Sequence, residues 1–357
     1  MAAAAPDLSD LLGSPRESGY RRALEPRVFA FPRDHGPHDG YRNEWWYLTG
    51  HLDTSSGRRF GYELTLFRFA LSLDPPPAQG SAWATDSIHI GHFAITDVER
   101  GAFHVAERQA RAAAGLAGAE RDPFRVWLYD WSIQLFPGSS GDADRWQVSA
   151  ADGANRLDLS LVPARPPVLQ GDNGLSQKSA DRGNALDHHS IPRPTTTGTL
   201  QVDGTRYEVS GTSWLDREWS SSALADDQAG WDWFSLQLED GTDLMYYQLR
   251  KKDGSTDAYS AGTLMPPGEA PVPLAPEDVQ LSVLAHWDSP AGGQYPNEWR
   301  LVVPQASLDL HIRPVLRDQE LDTWVRYWEG AVDISGTRGN TPLNGRGYVE
   351  LTGYARP

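Results

Sequence analysis

An all-β fold of antiparallel sandwiches or up-and-down barrels, in about two domains, follows from three observations. Apolar residues alternate with polar ones over short runs, turn dipeptides recur between those runs, and helical periodicity is scarce. At 357 residues the chain is also too long for one small core. A barrel of about eight strands has a functional corollary, because its interior can hold a small ligand.

Residues 1–28 are mixed and charged, and read as a tail with a short helix at Leu8–Leu12. Strands dominate thereafter. Phe60, Tyr62, Leu64 and Leu66 alternate with polar or small residues, the period-two pattern of a half-buried strand. Ser56-Gly57, Asp152-Gly153, Asp203-Gly204 and Asp240-Gly241 each separate two such runs, which is the two-residue hairpin signature. The clearest hairpin is Leu200-Gln201-Val202, turn Asp203-Gly204, then Tyr207-Glu208-Val209. Val105–Leu116, rich in Ala and Arg, reads as a short helix that Gly115 and Gly118 weaken. Proline-rich breaks at 75–77, 163–167, 266–276 and 290–296 suit loops between strands. An internal echo points to duplication. Glu44-Trp45-Trp46-Tyr47, Ser56-Gly57 and Tyr62-Glu63-Leu64 share a rhythm with Asp232-Trp233-Phe234, Asp240-Gly241 and Leu244-Met245-Tyr246-Tyr247; Asn297-Glu298-Trp299 is a shorter match.

Composition narrows the function. With 39% hydrophobic and 22% charged residues the chain reads as a globular protein, and no apolar run approaches the ~18–20 residues of a membrane-spanning helix. A formal charge of −16, with no basic stripe, argues against nucleic acid. The absence of cysteine excludes disulfides, thiolate metal sites and Cys nucleophiles. Met1-Ala2-Ala3-Ala4-Ala5-Pro6 has neither a basic nor an apolar signal region; it fits a mature end with a new initiator Met, or the leader of a cytosolic protein.

Two clusters carry candidate chemistry. Ser213-Trp214-Leu215-Asp216-Arg217-Glu218-Trp219 is closely followed by Trp231-Asp232-Trp233-Phe234, placing four of the 14 Trp beside three carboxylates. On a strand, Trp214, Asp216 and Glu218 share one face and Leu215, Arg217 and Trp219 the other. Two acids that close repel, and burial raises the pKa of at least one. A protonated carboxyl can deliver a proton to a double bond, and indole faces can stabilise the resulting cation. The plainer alternative makes Asp216 and Glu218 surface acids paired with Arg217 or Arg250. In the second cluster, Asn43-Glu44-Trp45-Trp46-Tyr47, Glu44 shares a face with Trp46, and Trp45 with Tyr47. An acid among buried aromatics needs a partner or a proton. His89 and His92 face opposite sides of one strand and share no metal. His188 and His189 fall in a polar loop, where one of them can face a cavity as an acid–base group. No metal-binding, phosphate-binding or serine-hydrolase motif is present.

These residues resemble a known family. Asn43 through Gly50 looks like its opening motif. Gln177-Lys178-Ser179, Arg182 through Ala185, Ser190 through Arg193 and Gly211 through Trp219 look like its central signature. Trp231–Phe234, Leu244–Arg250 and Gly347–Tyr354 match its C-terminal half. The family is the AttH and carotenoid 1,2-hydratase (hydroxyneurosporene synthase) group of lipocalin-like proteins, often labelled secreted hydrolases, and the resemblance runs from about residue 29 to the C-terminus. It implies two lipocalin-like β-barrels, here 29–220 and 221–357, with the site in or between them. Some members hydrate the terminal double bond of an acyclic carotenoid; distant fungal relatives close rings by pericyclic chemistry. The AttH branch is associated with envelope ABC transporters and a periplasmic or secreted location. Members commonly show His between the Asp and Glu of the central signature, where this chain has Arg217.

The expectation is therefore a hydratase-like enzyme without metal or organic cofactor, acting on an apolar isoprenoid or polyene. Asp216 donates the proton, Trp214 and Trp231 stabilise the cation, and Glu218 or Glu44 orients water. Trp46, Tyr47, Trp233, Tyr247, His188 and Arg250 complete the expected binding set. The alternatives are a hydrophobic-ligand carrier serving an ABC transporter and a pericyclase.

Overall fold

The computed structural model describes residues 19–75, 80–138 and 143–355; the helix expected at Leu8–Leu12 lies outside them. Two large antiparallel sheets account for nearly all of the regular structure, each curled toward a barrel in the lipocalin manner. The only helical segments among the described residues are three short 3₁₀ turns, Arg33–His35, Pro276–Asp278 and Pro304–Ala306.

The first sheet holds 13 strands between Asn43 and Ser222, the second 10 between Gln228 and Leu351. Both follow one plan. In the first, the opening strand Asn43–Asp53 pairs with Arg59–Ala70 on one side and with the last strand, Thr205–Ser222, on the other. In the second, Gln228–Leu238 pairs likewise with Asp243–Lys251 and with the last strand, Thr341–Leu351. The echo seen in the sequence thus falls on the same hairpin of each sheet. Asn297-Glu298-Trp299 does not, since it lies in the Gln294–Val303 strand.

The hairpin at Val202/Thr205 forms as its turn chemistry requires, with Asp203 and Gly204 both at positive φ (48° and 77°). The turns at Ser56-Gly57 and Asp240-Gly241 are longer than two residues, because the last strand pairs are Asp53/Arg59 and Gln237/Asp243. The helix expected over Val105–Leu116 is instead the strand Ala102–Arg111, laddered residue for residue onto Ser87–Asp97. Pairing with a preformed neighbour outweighs the weak helical propensity of its alanines and arginines. The strand ends in a turn where Ala114 and Gly115 take positive φ.

Three apolar clusters divide the strands by face. Trp46, Leu48, Tyr62, Leu64, Trp131, Trp146 and Leu215 fill the first barrel. Phe234, Leu236, Tyr246, Trp299, Trp328 and Val349 fill the second. These side chains are essentially inaccessible to solvent, so the barrels are packed solid at these levels. The alternate residues of the same strands form a third cluster in the seam between the sheets, containing Trp45, Tyr47, Phe67, Trp214, Trp233, Tyr247, Tyr327 and Tyr348. The sheets approach closely there: a Cβ on Gly61 would lie 2.6 Å from the Tyr348 hydroxyl and 2.8 Å from Ala331 Cβ.

Candidate functional site

The Asn43–Asp53 and Thr205–Ser222 strands run side by side with Tyr47 opposite Asp216 and Trp45 opposite Glu218. Opposed side chains leave a sheet on the same face, and this face looks into the seam. His188, on the next strand, stands opposite Glu218. The second sheet supplies Trp231, Trp233, Tyr247 and Leu249 from its first hairpin, and Tyr327 and Glu350 from its last. Between them lies a partly open cleft with a free interior of about 50 Å³, also lined by Phe67, Leu186 and Lys178. Its walls are mostly aromatic and its polar groups few, the composition of a small-molecule site.

The polar groups converge. Trp214 Nε1 donates to Asp216 Oδ1 at 2.9 Å, and the Ser190 hydroxyl donates to the same oxygen. Ser190 is itself held by Gln170 Nε2 at 2.8 Å, and Gln170 Oε1 accepts from Thr263 of the second sheet at 2.6 Å. Asp216 Oδ2 is buried without a hydrogen-bond partner. His188 sits between the acids, with Nε2 3.3 Å from Asp216 Oδ1 and Nδ1 3.4 Å from Glu218 Oε2. Trp45 Nε1 donates to Glu218 Oε1 at 3.0 Å. Burial holds Glu218 above the usual carboxylate range, with Asp216 adding to the rise and His188 and Lys178 opposing it. The Lys178 ammonium lies over the Tyr247 ring at 3.2 Å.

Sequence spacing offers no metal site. The fold nonetheless brings one ligand atom each of His188, Asp216 and Glu218 within 4.8 Å of one another, a set that can hold a cation. Each imidazole nitrogen lies near a different carboxylate, and neither makes a hydrogen bond.

Of the expected site residues, Asp216, Glu218, Trp231, Tyr47, Trp233, Tyr247 and His188 meet at this cavity. The other expectations need correction. Trp214 is not on the cavity wall: it stands behind it, bonded to Asp216 and edge-on to Trp233 at 6.2 Å. Glu44 and Trp46 point into the first barrel, on the opposite face of their strand. Glu44 pairs there with Arg217 and Arg68, which hold it well below the usual carboxylate range against its burial. Arg250 is bound to Asp232 at 2.8 Å and stacked on Tyr354. Asp216 and Glu218 are therefore not surface acids paired with Arg217 or Arg250. His188 and His189 lie on a buried strand, Ala185–Val202, not in a loop, and only His188 faces the cavity. His189 points the other way, Nε2 lying 3.1 Å from His35 Nδ1.

Trp45, Lys178, Ser190 and Gln170 were not expected. Alternation places Trp45 with Tyr47, so choosing Tyr47 as a site residue carried Trp45 with it. Nothing in the sequence marks Gln170.

A family model described as AttH-like matches residues 22–354. The chain belongs to the AttH-like family. An AttH crystal structure from Nitrosomonas europaea is 33% identical to this AttH-like chain, covers 94% of it and all of that chain, and superposes with a TM-score of 0.82. Two further solved structures share the fold at lower identity. Kievitone hydratase from Nectria haematococca is 15% identical, with coverage of 96% of this chain and 98% of that one and a TM-score of 0.64. CghA is 11% identical, with 97% and 98% coverage and a TM-score of 0.55. No curated protein sequence matches the AttH-like chain.

Proposed function

We propose that this AttH-like protein is an acid–base enzyme that adds water to a carbon–carbon double bond of an apolar, isoprenoid-type molecule bound in the seam. One observation carries the reading: Asp216 lines an aromatic cavity with one oxygen anchored by Trp214 and Ser190 and the other, Oδ2, unpartnered. Anchoring Oδ1 makes Oδ2 the atom that carries and delivers a proton. The double bond takes that proton, and the cation left on carbon is stabilised by the faces of Trp231, Trp233 and Trp45. Water attacks the cation while Glu218 accepts its proton. Water at the open mouth of the cleft then takes the proton from Glu218 and returns one to Asp216 Oδ2, so acid and base are restored and the net change is alkene plus water to alcohol. The hydratase among the solved structures of this fold supports the chemistry, and CghA has the same fold.

The test uses acyclic isoprenoid polyenes in ¹⁸O-labelled water, with mass spectrometry of the products. Wild-type protein is expected to incorporate one ¹⁸O. Asp216→Asn is expected to lose turnover while still quenching its tryptophans on ligand binding. An active Asn variant refutes Asp216 as the donor. Ring formation without ¹⁸O uptake identifies a cyclase, and a ligand that binds and returns unchanged identifies a carrier.

A further inference from the structure

The polar end of the cavity carries more than a proton donor. His188, Asp216 and Glu218 are, among the described residues, the one set of three His or acid side chains whose ligand atoms lie within 4.8 Å of one another. Hydrogen bonds fix the two carboxyls. Trp214 Nε1 and the Ser190 hydroxyl hold Asp216 Oδ1, and Trp45 Nε1 holds Glu218 Oε1. That leaves Asp216 Oδ2, buried and unpartnered, and Glu218 Oε2, 3.4 Å from His188 Nδ1. Both nitrogens of His188 are likewise buried without a hydrogen bond. His188 and Asp216 are each 1% exposed, so bulk solvent reaches neither.

Buried lone pairs in this number call for a positive partner. Glu44 shows what the protein's own cations do when they meet such a need, since Arg68 and Arg217 both pair with it. Here the Lys178 ammonium, whose charge reaches Glu218, rests on the face of Tyr247 instead. A metal ion fits the vacancy in charge. One imidazole nitrogen with two carboxylate oxygens suits zinc-class ions, whereas calcium and magnesium favour oxygen-only shells of about six or more. Ligands bound at about 2.1 Å lie roughly 3.4 Å apart around a tetrahedral ion, so shifts of about an ångström close the set. The free interior of about 50 Å³ has room for that ion and a water. Hydrogen bonds to the far oxygens, such as those from Trp214, Ser190 and Trp45, are what orient carboxylate ligands in metal sites.

We propose that His188, Asp216 and Glu218 form a binding site for one divalent metal ion of the zinc class, with a further coordination position open to the cavity. The ion takes Asp216 Oδ2, the atom assigned above to proton delivery, so the metal-loaded protein does not hydrate its substrate. The site itself stands on the geometry alone; the inhibition rests on the hydratase reading.

The probe is cobalt(II), whose visible absorption reports its coordination, titrated into protein stripped with EDTA. Wild-type protein is expected to bind one equivalent and to lose the absorption band when one equivalent of zinc displaces the cobalt. His188→Gln, Asp216→Asn and Glu218→Gln are each expected to weaken cobalt binding by at least about 100-fold. Trp214→Phe removes only a hydrogen bond that orients Asp216, and is expected to weaken it by about 10- to 100-fold. Glu350→Gln, which alters another acid of the cavity wall, is expected to leave it unchanged. Where one ligand variant does not fold, the other two and Trp214→Phe decide. No absorption band with wild-type protein, or cobalt bound equally by the folded ligand variants, overturns the site. Undiminished hydration by zinc-loaded protein overturns the inhibition. Absence of turnover in metal-free protein that binds cobalt as described overturns the hydratase reading and leaves the site standing.

Discussion

Arg217 sets the sharpest stability test. It has no exposed surface, and its guanidinium pairs with Glu44 while resting 4.0 Å over the Trp46 ring. It also donates to the carbonyls of Gly36 and Glu218 at 2.7 Å each, and of His35 and Trp45 at 3.3 Å each. Arg217→Met fills similar volume but leaves Glu44 buried with Arg68 and His38, and strips those carbonyls of a shared donor. Removing one partner of a buried ion pair costs about 3–5 kcal/mol, and the lost carbonyl contacts place this case at the upper end. That is a large share of the roughly 5–15 kcal/mol that holds a domain folded. Urea unfolding at pH 7 measures it. Glu44→Leu is expected to cost a similar amount, and the double variant about 2 kcal/mol less than the sum, because each change removes the same pair. A loss below about 1 kcal/mol for Arg217→Met, or strict additivity, refutes the view that this pair locks the Thr205–Ser222 strand to the first barrel.

Three further outcomes follow. Trp214→Phe keeps the packing against Trp233 but deletes the N–H to Asp216; turnover is expected to fall by about 10- to 100-fold with ligand affinity unchanged, and a loss of affinity instead would return Trp214 to the cavity wall. His51 is fully buried, Nε2 lying 2.8 Å from the Gly347 carbonyl oxygen, and burial lowers its pKa from 6.5 to about 4. Its neutral form is the folded one, so its contribution is fully present above pH 6.5 and is lost as pH falls toward 4, by up to about 1.4 kcal/mol per pH unit. In His51→Gln the urea midpoint should therefore fall less steeply with acid over that window, and an unchanged slope would contradict it. Gly61→Val forces a side chain against Tyr348 and Ala331 across the seam; a loss of about 1–3 kcal/mol is expected, and a variant as stable as wild type would show that the sheets are not held this close.

The fold class was legible because hairpin chemistry is local. Asp203-Gly204 sets its own turn, and the alternation at Phe60–Leu66 marks its own strand. The Ala102–Arg111 strand was not, because what makes it a strand is the ladder to Ser87–Asp97, which no local pattern announces. The site divides along the same line. Alternation separates Asp216 and Glu218 from Arg217, and the structure keeps that separation. What alternation cannot say is which face is which. In a sheet with one wet side, the polar face declares itself; here the central strands are buried on both sides, one against a barrel core and one against the seam. Acids then occur on either face, and their partners decide their use. Glu44 lies on the barrel side among cations and is spent on structure, whereas Asp216 lies on the seam side, held by an indole and a hydroxyl, with one oxygen free. Those cations, Arg68 and Arg217, stand 24 and 173 residues from Glu44 in the chain, and the Trp45 indole stands 173 residues from Glu218. The contrast between an acid paired with cations and an acid with one oxygen free is therefore a property of strand pairing, and it becomes readable only once the first and last strands of the sheet are side by side.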